Sequence, residues 1–158
     1  MNQITLTTRH LHALARVGFQ VADGAGAHGA MTALREVLTV EAYEFVAFDP
    51  ATGRHRSLLS DGYTRLDDDA AEEYAALAPY RGAMAARRPV AMGSPGTERY
   101  FRRHLEPYGW RSGLTTPLFL EEGRYTGLLH LSARAPDAFP AESGEVLGAV
   151  SPVLAHVT

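Results

Sequence analysis

The spacing of apolar side chains changes along the chain, and each change marks an element. Between Thr7 and Val21, Leu11, Leu14, Ala15, Gly18 and Val21 recur every three or four residues. That period predicts an amphipathic helix, with Thr7 or Thr8 placed to cap it. Asp23-Gly24-Ala25-Gly26 breaks it. A second helix follows from about Gly29 to Leu38, with Met31, Leu34, Val37 and Leu38 as its stripe. The period then falls to two. Residues 43–49 read as a strand with apolar contacts on both faces, and Arg54 to Ser60 as the next strand. Asp49-Pro50-Ala51-Thr52-Gly53 lies between them as a turn: Asp accepts local amide bonds, Pro presets φ, and Gly supplies the unusual backbone angle.

The middle of the chain predicts a helix from Asp67 to Tyr80, with three aspartates at its positive end and Pro79 at its close. A short extended piece spans Arg87 to Met92. Ser94, as cap with Pro95 after it, opens a helix to about Leu105. Gly113 to Leu120 and Arg124 to Arg134 form a strand pair around Glu121-Glu122-Gly123. Alternation puts Tyr125, Gly127, Leu129 and Leu131 on one face and Thr126, Leu128, His130 and Ser132 on the other. The last helix covers Ala141 to Val157, with Pro152 as a kink. Hairpins near both ends of the strand set imply an α+β domain. A mainly antiparallel sheet of five or six strands has terminal helices on one face and the middle helices and loops enclosing the other. No linker or repeat divides residues 1–158, so they are read as one domain.

Composition removes several chemistries. There is no cysteine, so disulfides, thiol catalysis and thioether-linked chromophores are excluded. All fifteen basic residues are arginine, which removes Schiff-base lysines and the phosphate-loop lysine. A net charge of −3 argues against this domain itself gripping a nucleic-acid backbone. No signal peptide or membrane-length apolar run is visible, so the expected location is the cytoplasm, away from membranes.

Asp49-Pro50-Ala51-Thr52-Gly53, Gly113-Leu114-Thr115-Thr116-Pro117-Leu118 and Gly123-Arg124-Tyr125-Thr126-Gly127-Leu128-Leu129-His130-Leu131 occur in the order in which a GAF domain uses such segments. The chain resembles a GAF domain over nearly its whole length. Its wording from Tyr100 to Gly109 and from Arg111 to Thr115 also resembles the amino-terminal sensor half of actinobacterial LuxR-type transcriptional regulators. The resemblance implies a small-molecule-sensing or interaction module without enzymatic activity, acting on an attached output domain. In that family the output is often a DNA-binding helix-turn-helix. The resemblance also implies departures. The lysine-containing signature of cyclic-nucleotide-binding members cannot be complete here. The bilin-attaching and methionine-sulfoxide-reducing branches need cysteine.

Candidate chemistry is sparse. His10-Leu11-His12 points its two rings away from each other, and Asp67-Asp68-Asp69 lacks the spacing, glycine and closing glutamate of a calcium loop. No Gly-x-Ser-x-Gly elbow exists for hydrolysis. No metal or cofactor is expected. The aromatic residues of the middle segment, which combine bulk with a polar handle, are the best candidates to line a small-molecule cavity. The expected ligand-binding residues are Tyr74, Tyr100, Phe101, Trp110, Thr116 and His130; the alternative is a ligandless dimerisation module with a filled core. The stripe Leu11, Leu14, Gly18 and Val21 should share a sheet face with Val146, Leu147, Val150, Val153 and Leu154. Apolar surface left over there would form a homodimer through the terminal helices. The last helix ends at Ala155-His156-Val157-Thr158 with no stop signal, which is read as the front part of a longer regulator.

Overall fold

A computed structural model of the chain describes residues 6–22, 26–63 and 68–158. The break at 23–25 and Asp67 lie outside the described residues. The elements are α1 (Thr8–Ala22), α2 (Gly26–Leu34), β1 (Ala42–Asp49), β2 (Arg54–Asp61), α3 (Asp68–Ala75) and α4 (Ala78–Ala86). They continue with β3 (Val90–Ala91), α5 (Glu98–His104), β4 (Ser112–Phe119), β5 (Tyr125–Ala133) and α6 (Ala141–Leu154). The five strands form one sheet in the order β2-β1-β5-β4-β3, with every neighbouring pair antiparallel. The expected fold class and both hairpins are therefore observed. Among the described residues no helix is long and apolar enough to cross a membrane.

The β1–β2 turn works as its residues predict. The Asp49 carboxylate accepts from the Ala51 amide at 2.9 Å and the Thr52 hydroxyl at 3.0 Å, bonds that hold its pKa below the usual value. One sheet face carries Tyr43, Phe45, Leu114, Leu118, Leu129 and Leu131 against α1, α2 and α6. The other carries Ala42, Val46 and Leu128 against Tyr74, Tyr80, Tyr100 and Trp110 from the middle of the chain. β5 sits between β1 and β4 and is buried along almost its whole length. The outer edge of β2 is closed by α3. Asp68 accepts from the Ser57 amide at 2.6 Å, and Glu72 accepts from the His55 amide. Carboxylates four apart on a helix match outward amides two apart on a strand, both about 6 Å, so the edge donors are satisfied without another strand.

Several expectations are corrected. The helix expected from Asp67 to Tyr80 is two helices, because Pro79 stands in the first turn of α4, where a missing N–H costs nothing. Ser94 does not cap α5. Gly96 has φ +93°, which no helix accommodates, and the helix begins at Glu98. Glu98 accepts from the Gly96 amide, and Arg103 bonds to Glu73. Pro152 lies inside α6, where Ser151 Oγ donates to the Gly148 carbonyl at 2.9 Å in place of the N–H that proline lacks. The apolar face of α6 is consumed within the monomer: Val146, Leu147, Val150 and Leu154 are all buried. Leu14 and Val21 pack on the same core, but Leu11 faces outward.

The tightest backbone approach lies between β5 and β1. A Cβ on Gly127 would stand 1.9 Å from the Val46 carbonyl oxygen, and its φ of +154° is itself a glycine conformation. Opposite it the register slips between Leu118 and Phe119, so Thr126 is an extra residue on β5. Gly127→Ala is expected to lower stability by about 3 kcal/mol or more, combining strain with displaced backbone. Gly18→Ala, with open space around it inside α1, should raise stability by about 0.5–1 kcal/mol. Urea unfolding of the two variants checks both signs.

Candidate functional site

The site is built on a polar row that crosses the sheet where apolar residues would be expected. Glu44 of β1 is the direct cross-strand neighbour of His130 on β5, which is in turn the neighbour of Thr115 on β4. All three are buried. His130 Nδ1 and Thr115 Oγ1 are 2.7 Å apart, and Ser57 Oγ donates to Glu44 Oε1 at 2.7 Å. Tyr74 of α3 covers the row, its ring 4.6 Å from and nearly perpendicular to that of His130. Tyr80 and Tyr100 pack on Tyr74 at 5.2 and 5.0 Å. Trp110 closes one end. Tyr63 meets it edge-on and donates to Ser132 Oγ at 2.6 Å, and Arg134 stacks on it at 4.5 Å.

Among the described residues, two atoms in this layer have no hydrogen-bond partner by geometry: the Tyr74 hydroxyl and His130 Nε2. Thr115 faces Tyr74 and tempers its acidity shift, while its hydroxyl also bonds to His130. Burial, with His55 adding to it, pushes His130 down to about 3, so the imidazole is neutral. Burial raises Tyr63, Tyr74, Tyr80, Tyr100 and Tyr125, all of which are held as phenols.

A second polar chain runs inward from the sheet edge. His55 Nδ1 is 3.1 Å from Glu72 Oε1, His55 Nε2 is 2.9 Å from the Tyr125 hydroxyl, and Tyr125 is 2.9 Å from the Tyr80 hydroxyl. A carboxylate only accepts, so His55 donates from Nδ1 to Glu72, and its Nε2 continues the chain inward through the Tyr125 and Tyr80 hydroxyls. A carboxylate–imidazole–hydroxyl series is a proton-handling arrangement, although the raised Tyr125 is a poor nucleophile.

Of the residues expected at the site, Tyr74, Tyr100, Trp110 and His130 meet in this one layer, and Phe101 packs half-buried at its margin. Thr116 does not. It is the cross-strand neighbour of Leu129 and faces the α6 side, because strand residues alternate and Thr115 takes the inward position. Tyr80 belongs to the aromatic group of the middle segment, whereas His55, Glu72 and Tyr125 were not anticipated. Tyr125 is on the site's face only because the bulge at Thr126 reverses the alternation.

No family model matches the chain, and no curated protein matches it. Solved structures do share its fold. The GAF domain of a phosphoenolpyruvate-protein phosphotransferase from Coxiella burnetii has TM-score 0.66 and 16% identity, over 94% of this chain and 93% of that one. Free methionine-R-sulfoxide reductase from Neisseria meningitidis, in complex with its substrate, has TM-score 0.65 and 19% identity, over 98% and 93%. The GAF domain of a two-component sensor histidine kinase from Bacillus halodurans has TM-score 0.58 and 13% identity, over 79% and 85%. The fold is that of GAF domains. The expectation of a non-enzyme is corrected by the reductase: this fold carries an enzyme as well as domains of signalling proteins.

Neutral His130 makes a pH prediction. Below the ordinary imidazole value of 6.5, the unfolded chain gains a proton that folded His130 refuses until about pH 3. Stability therefore falls as pH drops through this window, by about 2 kcal/mol at pH 5 from this group alone. His130→Gln should remove that part of the slope. Urea midpoints of both proteins between pH 8 and pH 5 measure it.

Proposed function

We propose that this chain is a small-molecule-sensing domain that regulates an attached output domain, a DNA-binding transcription regulator in the cytoplasm. The observation that carries the reading is two buried polar atoms with no partner by geometry among the described residues, the Tyr74 hydroxyl and His130 Nε2, on rings that meet edge-on. Buried polar atoms without partners cost about 1–3 kcal/mol each, and a guest that supplies their hydrogen bonds recovers that cost. The proposed contacts are His130, Tyr74 and Tyr100, with Trp110 at one end and Phe101 at the margin. The fold shared with GAF domains of a sensor kinase and a phosphotransferase supports a signal-sensing role. The resemblance of residues 100–115 to LuxR-type sensor halves supports the DNA-binding output.

Because Tyr74, Tyr80 and Tyr100 are sealed from solvent, the guest enters only when the cover opens, and binding closes it. Ligands that bind the closed state should raise the melting temperature in proportion to occupancy. Native mass spectrometry of the purified domain followed by a thermal-shift metabolite screen is expected to find one. His130→Leu and Tyr74→Phe, which keep the packing but remove the open polar atoms, should each weaken it about tenfold or more. A hit that both variants bind equally well would remove the site assignment. Cyclic AMP and cyclic GMP are expected to show no saturable binding by calorimetry at moderate micromolar concentration.

A further inference from the structure

The series Glu72, His55, Tyr125 takes no part in the ligand contacts proposed above, yet its geometry is suited to a chemistry of its own. The sequence has seven tyrosines. Among the described residues, Tyr125 is the one whose hydroxyl lies within hydrogen-bond distance of an imidazole nitrogen. His55 Nε2 is 2.9 Å from it, and His55 Nδ1 donates to Glu72 on the far side of the ring. Burial, with the Glu72 charge adding to it, holds Tyr125 as a phenol. Such a tyrosine cannot be oxidised by first ionising to solvent. Its proton has to leave with the electron, and a base must stand ready at the oxygen to take it. The buried imidazole of His55 stands there. A line of oxidisable rings also leads inward from this point. The Tyr80 hydroxyl is 2.9 Å from that of Tyr125, the Tyr80 and Tyr74 rings are 5.2 Å apart, and the Tyr74 and Tyr100 rings are 5.0 Å apart. Phe48 and Phe119, which are harder to oxidise than a phenol, flank Tyr125 at 5.3 and 5.4 Å. With no cysteine in the chain, no thiol competes as electron donor.

We propose that Tyr125 is a one-electron redox site, oxidised to a neutral phenoxyl radical with His55 as its proton acceptor. The substrate class is a one-electron oxidant, specifically an organic peroxyl radical. One electron passes from the Tyr125 ring to the peroxyl radical, which becomes a peroxide anion and is protonated by solvent to the hydroperoxide. The Tyr125 O–H bond breaks, and its proton forms an N–H bond at Nε2 of the neutral imidazole. No covalent bond joins oxidant and protein. The imidazolium keeps its Nδ1–H on Glu72, so the new positive charge faces a carboxylate already in place. The phenoxyl radical carries no charge. Its formation therefore avoids the desolvation cost that opposes a phenolate at the same position. Tyr125 is half-buried at the start of β5, so an oxidant can approach the ring while Phe48 and Phe119 shield it.

The test uses the full chain and two oxidants. Peroxyl radicals from an azo initiator in aerated buffer give the yield of tyrosyl radical, read by electron paramagnetic resonance. Flash-generated ruthenium(III) tris-bipyridine gives the rate, read by transient absorbance. Tyr125→Phe, which keeps the ring and its packing, is expected to lower the tyrosyl yield about fivefold or more. His55→Phe, with Tyr125 in place, should slow radical formation about tenfold or more, since a positioned base contributes at least that much to a proton transfer. Glu72→Gln still accepts from His55 but carries no charge, and should slow it by a smaller factor of about three. Circular dichroism checks folding of each variant. The wild-type protein supplies a measurement that needs no variant: transfer to D2O should slow the rate about twofold, because the proton moves with the electron. An undiminished yield in Tyr125→Phe, an unchanged rate in folded His55→Phe, or no isotope effect in the wild type would each overturn the proposal. So would a tyrosyl signal that the ruthenium oxidant produces and peroxyl radicals do not.

Discussion

Everything in this domain depends on β5 lying close against β1 in the middle of the sheet. At Gly127 the two backbones are nearer than any side chain permits, since even a Cβ would overlap the Val46 carbonyl. That approach aligns Glu44 with His130 and Phe45 with Leu129. The first pair faces α3 to α5 and the second faces α1, α2 and α6. The two cores are thus two faces of one register. A slip of one residue would exchange them, putting His130 among leucines and Leu129 among phenols. The α6-side core is apolar enough to forbid that exchange, so it enforces the position of the polar row on the other side.

A polar row inside a sheet has to be covered by groups that are apolar in bulk and polar at one point. Tyrosine meets both conditions, and Tyr74, Tyr80 and Tyr100 from three successive helices supply it. Their rings exclude water, which raises the phenols and drives His130 neutral. The polarity of the layer is set from outside it. Glu72 orients His55, His55 bonds Tyr125, and Tyr125 bonds Tyr80.

The elements legible in the sequence are those whose signals are local. The Asp49 to Gly53 turn and the β4–β5 hairpin have turn chemistry that needs no tertiary contact, and both were read with boundaries within a residue or two. The aromatic cluster was also legible, because composition alone concentrates Tyr74, Tyr100 and Trp110 in the segment that must cover the sheet. What failed was parity and partnership. Thr115 and Thr116 are chemically alike, and only the register with His130 shows which faces inward. Tyr125 was assigned to the wrong face because strict alternation cannot foresee the bulge at Thr126. Pro79 reads as a stop or as a first-turn residue depending on packing. His55 and Glu72, seventeen residues apart on a strand and a helix, carry no motif that would join them.

α3 is where the fold and the site are least separable. The same eight residues close the β2 edge through Asp68 and Glu72, orient His55, and lay Tyr74 over His130. Hydrogen bonds to carboxylates contribute about 1.5–3 kcal/mol each, so lifting α3 would cost several kcal/mol and expose two edge amides. α5 is tied differently. Arg103 and His104 both bond to Glu73, with Arg103 largely exposed, and a solvated pair of this kind contributes about 0–1 kcal/mol. Beyond those contacts α5 is held chiefly by Tyr100, whose burial is worth a few kcal/mol. Access to the polar row is therefore cheaper through movement of α5 than of α3. A guest entering on that side would need α5 to lift and the Tyr100 ring to close back over it, while the His55 chain and the sheet edge stayed intact.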